Sequence, residues 1–119
     1  MSVVTKFNMT KDISGFNGFG LQTSNTIKGV LLAQNVAQSA VAPTDAAYYI
    51  AVFSYVGGAV FVNSKGTATA YSGTIGAVTS ELNPSAREVK AGTTISMLTP
   101  DSAGAYVEVA FYVAPPFIN

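Results

Sequence analysis

Residues 48–62 are almost entirely apolar, interrupted only by Ser54 and by the pair Gly57-Gly58. Two apolar runs separated by two glycines predict a β-hairpin, because a Gly-Gly loop suits the tight turns that join twisted antiparallel strands. A hairpin on the surface of a monomer normally alternates apolar with polar residues, and this one has no polar face. Both faces therefore need cover, one from the domain's own core and one from another chain.

The predicted turn assigns the side chains of this hairpin to two faces. One face carries Tyr49, Ala51, Phe53, Tyr55, Val60 and Val62, and the other carries Tyr48, Ile50, Val52, Val56, Ala59 and Phe61. Because both sets are apolar, the pattern leaves open which face belongs to the core.

Further short strands are predicted on both sides of the hairpin. Gly29 and the β-branched residues around it favour a strand over 26–33 and a loop over 34–46, although the apolar spacing as far as Val41 also suits a helix ended by Pro43. Turn signals such as Asn83-Pro84-Ser85 separate the rest. The predicted strands are 67–72, 77–82, 93–99 and 105–113, the last with Val107, Val109, Phe111 and Val113 toward the core.

Strands with turn signals every 8–12 residues or so predict an all-β fold, a single antiparallel β-sandwich or jelly-roll-like barrel. We expect about seven to eight short strands with extended terminal arms. The single domain would comprise an N-terminal arm and Gly-rich loop over 1–25, a sandwich over 26–113 and a tail over 114–119. Phenylalanines in the Gly-rich loop and apolar residues in the tail need burial, either beneath their own domain or on a neighbour.

Composition favours a subunit over a free monomer. Hydrophobic residues make up 49% of the chain and charged residues 10%, with no net charge. Average soluble domains carry about 25% charged residues, so little polar material is left to coat a surface. The alternative is a compact monomer of modest solubility.

The same composition excludes several functions. Its scattered lysines form no basic run for nucleic acid. Histidine and cysteine are absent, which removes the common general base, the usual triads and thiolate metal sites. The carboxylates sit in no catalytic setting and are expected to be solvated turn residues, so we expect no enzyme, cofactor, metal or small-molecule substrate. The carboxylates are Asp12, Asp45, Glu81, Glu88, Asp101 and Glu108.

The chain is not expected to bind or cross a membrane. Its longest apolar run, residues 48–62, contains Gly-Gly and falls short of the roughly 20 residues that a spanning helix needs. Residues 1–6 lack the build of a signal peptide. We therefore expect a protein made and used in the cytoplasm, or carried out inside a particle.

Residues 48–113 resemble the small β-sandwich structural proteins of tailed bacteriophages, especially head decoration (cement) proteins. The resemblance rests on the apolar segment 48–62, the segment 81–92 (ELNPSAREVKAG), the strand 94–99 and the closing strand 106–112. It implies binding to the outer capsid lattice, with the major capsid protein and further copies of itself as partners, a trimer being favoured. Such a protein is made in the host cytoplasm and ends on the outer surface of the virion.

The expected interface combines one hairpin face with the arm, the Gly-rich loop and the tail. It comprises Val3, Phe7, Phe16, Phe19, Tyr49, Phe53, Tyr55, Pro115, Pro116, Phe117 and Ile118. Two alternatives remain open: a phage tail, baseplate or fibre module, and a glycan-binding β-sandwich module with a tyrosine-lined groove.

Overall fold

The computed structural model of the protein describes residues 3–7, 9–11, 17–21, 23–71 and 78–114. Within these ranges the chain forms β-strands and no helix. The strands are β1 (Met9–Lys11), β2 (Asn17–Leu21), β3 (Ile27–Leu32), β4 (Gln38–Val41), β5 (Tyr48–Gly57), β6 (Phe61–Asn63), β7 (Glu81–Leu82), β8 (Ala86–Lys90), β9 (Thr94–Leu98) and β10 (Ala105–Val113).

The last eight strands pair in a nested order. β3 pairs with β10, β4 with β9, β5 with β8 and β6 with β7, all antiparallel, as in one long folded hairpin. Contacts of β10 with β5 and of β9 with β6 roll this hairpin into two sheets. Sheet I has the order β3-β10-β5-β8 and sheet II the order β4-β9-β6-β7. Two four-stranded sheets in this order make a jelly roll, which confirms the predicted all-β sandwich.

The core lies between the two sheets and follows from the alternation of side chains along each strand. Sheet I contributes Tyr49, Ala51 and Phe53 of β5 together with alternate residues of β10, and sheet II contributes Ile95 and Met97 of β9. Both β5 and β10 are central strands, so their inward side chains are surrounded on all sides. The fully buried residues of β10 are Val107, Val109 and Phe111, as the sequence predicts.

The predicted hairpin at 48–62 is wrong. β5 belongs to sheet I and β6 to sheet II, and the intervening residues carry the chain from one sheet to the other. β5 already has β8 on one edge and β10 on the other, so no edge is left for β6. Gly57 adopts a φ of 106°, a left-handed conformation that glycine reaches cheaply, where the chain leaves sheet I. The two glycines therefore mark a corner of the sandwich.

The other strand predictions have mixed outcomes. Strands 26–33, 93–99 and 105–113 are confirmed as β3, β9 and β10, whereas the predicted loop over 34–46 contains β4. β8 was not predicted either. β4 and β8 are edge strands with one buried residue each, so their sequences show little alternation. Their pairing depends on backbone hydrogen bonds to β9 and β5, which any sequence can make.

Two predicted strands are shortened or absent. Of 77–82, only Glu81 and Leu82 form a strand, and residues 67–71 form none. The amide of Ala68 instead donates a hydrogen bond to Ser96 Oγ of β9 at 2.9 Å, so this segment crosses the outside of sheet II without pairing. Residues 72 and 77 lie outside the described ranges.

The N-terminal arm is built into the sandwich. Val4 is buried in the core, and residues 5–7 run parallel to the end of β10. The Phe7 amide donates to the carbonyl of Val113, and the Val113 amide donates to the carbonyl of Thr5. Further along, β1 and β2 pair as a small two-stranded sheet, within the stretch 1–25 that the sequence predicts to be an arm and Gly-rich loop.

Candidate interface surface

The outer face of sheet I is the side turned away from the core, and its side chains follow from the strand register. Four of its positions are polar: Ser54, Glu88, Lys90 and Glu108. The solvated face of an antiparallel sheet normally alternates into polar residues, so an apolar outer face is a candidate interface. From one end to the other its rows are Leu31–Tyr106–Val56, Gly29–Glu108–Ser54, Ile27–Ala110–Val52–Ala86, Tyr112–Ile50–Glu88 and Tyr48–Lys90.

The most accessible apolar side chains of this face lie at one end of it. Leu31 is 77% exposed and Val56 68%, on either side of the half-buried Tyr106. Ile27 and Tyr48 are 49% and 45% exposed. All four of these side chains are on the two strands that flank β10. Tyr106 joins Leu31 to Val56, whereas the row of Gly29, Glu108 and Ser54 separates them from Ile27.

Toward the opposite end of the outer face, one aromatic side chain is covered by the N-terminal arm. The ring of Phe7 stands edge-on to the ring of Tyr112, with centroids 5.8 Å apart and planes at 87°. Tyr112 is consequently buried, although it points outward from the sheet. The arm thus covers Tyr112 and leaves Leu31 and Val56 at the other end exposed.

Three predicted interface residues lie on the inward face of β5. Tyr49 and Phe53 are buried in the core, so their assignment to a partner surface is wrong. Tyr55 is half-buried, stacks on Phe53 with centroids 6.3 Å apart, and donates a hydrogen bond to the carbonyl of Pro84. Burial raises the pKa of the Tyr55 hydroxyl. This side of β5 is the inward one because it faces sheet II. That contact joins distant segments of the chain, and local spacing does not encode it.

The remaining predicted interface residues are in the arm, the loop and the tail. Val3 is exposed and remains available to a partner, whereas Phe7 packs on its own domain. Phe19 lies in β2. The others, Phe16, Pro115, Pro116, Phe117 and Ile118, fall outside the described residues. Sequence reasoning missed Ile27 and Leu31, although their spacing with Gly29 along one side of β3 was a usable signal.

Asp45 anchors the arm to the core. Its carboxylate accepts a hydrogen bond from the Val4 amide at 3.1 Å and another from the Tyr49 hydroxyl. The Tyr49 oxygen in turn accepts a hydrogen bond from the Ala46 amide at 2.6 Å. The hydroxyl of Tyr49 and the amide of Val4 lower the pKa of Asp45, and burial raises the pKa of Tyr49.

We expect acid to weaken this anchor. Because the pKa of Asp45 is lower in the folded protein, its contribution is complete above the unfolded-state value of about 4 and is lost as the pH falls through the folded value. The Asp45→Asn variant should therefore lose less stability than the wild type between pH 7 and pH 3 in urea unfolding. Glu88→Gln, on the exposed edge of sheet I, is the control. An unchanged acid sensitivity in Asp45→Asn would contradict the anchor.

A polar groove of about 650 Å³ lies on the outside of sheet II. Lys65 is the one charged residue that lines it, and none of its lining residues is aromatic. The groove can offer hydroxyl, amide and ammonium groups to a polar ligand, but it is not the tyrosine-lined groove expected of a glycan-binding module. It is lined by Ala37, Gln38, Ser39, Ser64, Lys65, Gly66, Thr67, Thr93, Thr94 and Ser96.

The described residues contain no group of three or more acidic, histidine or cysteine side chains that could hold a metal ion. In the same ranges, no helix is long and apolar enough to cross a membrane. Arg87 and Glu81 form an exposed ion pair between β8 and β7, with the Arg87 Nε 2.9 Å from a Glu81 carboxylate oxygen. An exposed pair of this kind contributes little to stability, because water screens the attraction.

Comparison with known proteins gives no match to a protein-family model, a curated protein or a solved structure.

Proposed function

We propose that this chain is a structural protein of a virus particle, a bacteriophage capsid decoration protein that stabilises the head by binding between capsid subunits. The observation that carries the proposal is the apolar outer face of sheet I, open at Leu31 and Val56. A neutral chain with 10% charged residues has little else with which to make a specific contact. The resemblance of residues 48–113 to decoration proteins is the reason for proposing a phage head as the particle.

The size of this face suits one partner. The four strands of sheet I hold 30 residues (6, 10, 5 and 9). With about 4.8 Å between strands and about 3.4 Å between residues, they cover roughly 490 Å². Stable interfaces bury about 800 Å² on each side, so the face supplies most of one interface. The rest would come from exposed residues beside it, such as Val3.

Binding of this kind stabilises a shell by mass action. A protein that binds the assembled shell but not its separated subunits adds about 2.7 kcal/mol per site when its free concentration is 100 times its Kd. No chemistry is required of the bound protein. The jelly-roll fold is also found in capsid proteins, lectins and cupins, so it agrees with the proposal but does not select it.

The Val56→Lys variant should bind heads at least about tenfold more weakly than the wild type, because a desolvated ammonium in an apolar contact costs more than about 1.4 kcal/mol. Co-sedimentation with heads assembled without this protein measures the Kd. Val78→Lys is the matched control, since Val78 is equally exposed but lies outside both sheets. Equal binding by the two variants would rule out the outer face as the contact.

The groove on sheet II favours a second candidate, a fibre or other module that binds a glycan. Its hydroxyl and amide groups suit hydrogen bonds to a sugar, although the lining lacks an aromatic ring for stacking. Calorimetric titration with oligosaccharides separates the candidates. Saturable binding that is lost in Lys65→Ala and kept in Lys90→Ala would favour the glycan module, and no binding would leave the decoration protein.

A further inference from the structure

Every open sheet has two edge strands, whose unpaired backbone groups can bind another chain unless something protects them. In this protein the edges of sheet I are β3 and β8, and those of sheet II are β4 and β7. Three of the four edges carry recognised protection. β8 displays Glu88 and Lys90, β7 has two residues, and β4 is short and begins with Gln38 and Ser39. β3 is the longest of the four, at six residues.

The direction of the backbone groups along β3 follows from one hydrogen bond. The Phe111 amide donates to the carbonyl of Thr26 at 2.9 Å, so these opposite residues direct their backbone groups toward each other, with Ser24 Oγ bridging the Thr26 amide and the Phe111 carbonyl. Such pairs alternate along antiparallel strands, and hence Ile27, Gly29 and Leu31 direct their N–H and C=O groups away from β10. Within the described residues these groups have no hydrogen-bond partner.

The one charged residue of β3 does not protect this edge. The ammonium of Lys28 turns inward, where it donates a hydrogen bond to the carbonyl of Val41 and lies 5.9 Å from the centroid of the Phe111 ring. The side chains beside the open backbone groups are Ile27 and Leu31, both exposed. The edge therefore combines free backbone groups with accessible apolar side chains, the combination that favours strand pairing.

We propose that β3 pairs with β3 of a second copy of this chain, antiparallel and across a twofold axis at Gly29. Of the possible registers, this one opposes all three outward-directed residues, with Gly29 facing its own copy and Ile27 facing Leu31 of the second copy. It forms about six backbone hydrogen bonds. Ile27 and Leu31 then make two equivalent cross-strand contacts, which stabilise the pairing further.

A second copy fits this edge better than an unrelated partner because the edge is self-complementary. A twofold contact requires the same surface on both sides. Ile27 and Leu31 lie two residues on either side of Gly29, so in an antiparallel pair centred on Gly29 each faces the other residue of the second copy. The two copies of sheet I join into one continuous sheet, whose outer faces remain free. The pairing does not depend on the proposed function, and it predicts a dimer where the resemblance to decoration proteins favours a trimer.

The Leu31→Lys variant tests the pairing, because a charge at an edge opposes strand addition and an exposed residue can change without loss of the fold. Sedimentation velocity should show a dimer for the wild type and for Val56→Lys, and a monomer for Leu31→Lys, with a Kd raised at least about tenfold. Thermal melting checks that all three are folded. A wild type that is a monomer or trimer, or a Leu31→Lys variant that remains a dimer, would overturn the proposal.

Amide hydrogen exchange gives a second readout that a face-to-face dimer would not produce. Exchange at Ile27, Gly29 and Leu31 should slow as the protein concentration rises, whereas the outward amides of Glu88 and Lys90 on the other edge of sheet I should not change. A dimer without this selective protection would disprove β3 pairing. Dimer formation can be tested separately from the proposed function, because Val56→Lys should remain a dimer while losing affinity for heads.

Discussion

Replacing Tyr49 with alanine should lower the free energy of unfolding by about 3–5 kcal/mol, the range for loss of a large buried ring. Replacing Tyr48 with alanine should lower it by less than about 1 kcal/mol. The two residues are neighbours of the same type on β5, but Tyr49 points into the core and Tyr48 lies on the outer face. Urea unfolding followed by circular dichroism measures both variants.

The Tyr49→Phe variant divides this effect between the ring and the hydroxyl. Phenylalanine keeps the packing but removes the acceptor for the Ala46 amide and the donor to Asp45. Loss of hydrogen bonds at a partly buried site costs about 1–3 kcal/mol, so the variant should fall between the wild type and Tyr49→Ala. Equal destabilisation by Tyr48→Ala and Tyr49→Ala would contradict the inward orientation of Tyr49.

The strands that the sequence predicts correctly are those whose side chains alternate for a structural reason. β10 crosses the centre of sheet I with one face in the core, so Val107, Val109 and Phe111 alternate with less buried residues. β9 does the same with Ile95 and Met97 in sheet II. β4 and β8 lack such a pattern because each buries a single side chain.

The apolar segment 48–62 was misread because two arrangements produce the same pattern. A hairpin with a Gly-Gly turn and a strand that leaves its sheet at a Gly-Gly corner both show apolar runs on either side of the glycines. The difference is decided by β8 and β10, which occupy both edges of β5 and come later in the chain. Long-range pairing of this kind cannot be read from spacing within the segment.

The residues of the candidate interface differ from those that the sequence predicts. An excess of apolar surface was correctly expected, and sheet I exposes one. The side of β5 was reversed, because Tyr49 and Phe53 are as apolar as the outward Ile50 and Val52. Burial on the inward side comes from sheet II, whose Ile95 and Met97 pack in the same core. Local composition carries no information about that contact.

Replacing Gly104 with alanine should be among the most damaging single-methyl changes in the protein, at about 3 kcal/mol or more. Gly104 adopts a φ of 77°, where an L-residue costs about 1–2 kcal/mol. A Cβ would also fall 2.5 Å from the carbonyl oxygen of Leu32, a backbone atom of β3 that cannot rotate away. Relief requires the end of β3 to move relative to β10, so the β3 edge should be disturbed too.

Two other glycines separate these causes. Gly92 has a similar φ of 74°, but the nearest atom to a Cβ there would be 3.7 Å away, so Gly92→Ala should cost about 1–2 kcal/mol from the backbone alone. Gly66 has an ordinary φ and an open environment, and Gly66→Ala should change stability by no more than about 1 kcal/mol in either direction. Urea unfolding should rank the losses Gly104→Ala, Gly92→Ala and Gly66→Ala. If Gly104→Ala proves as stable as Gly92→Ala or more stable, then β3 is free to shift. Its edge is in that case not held in the geometry that β3 pairing requires.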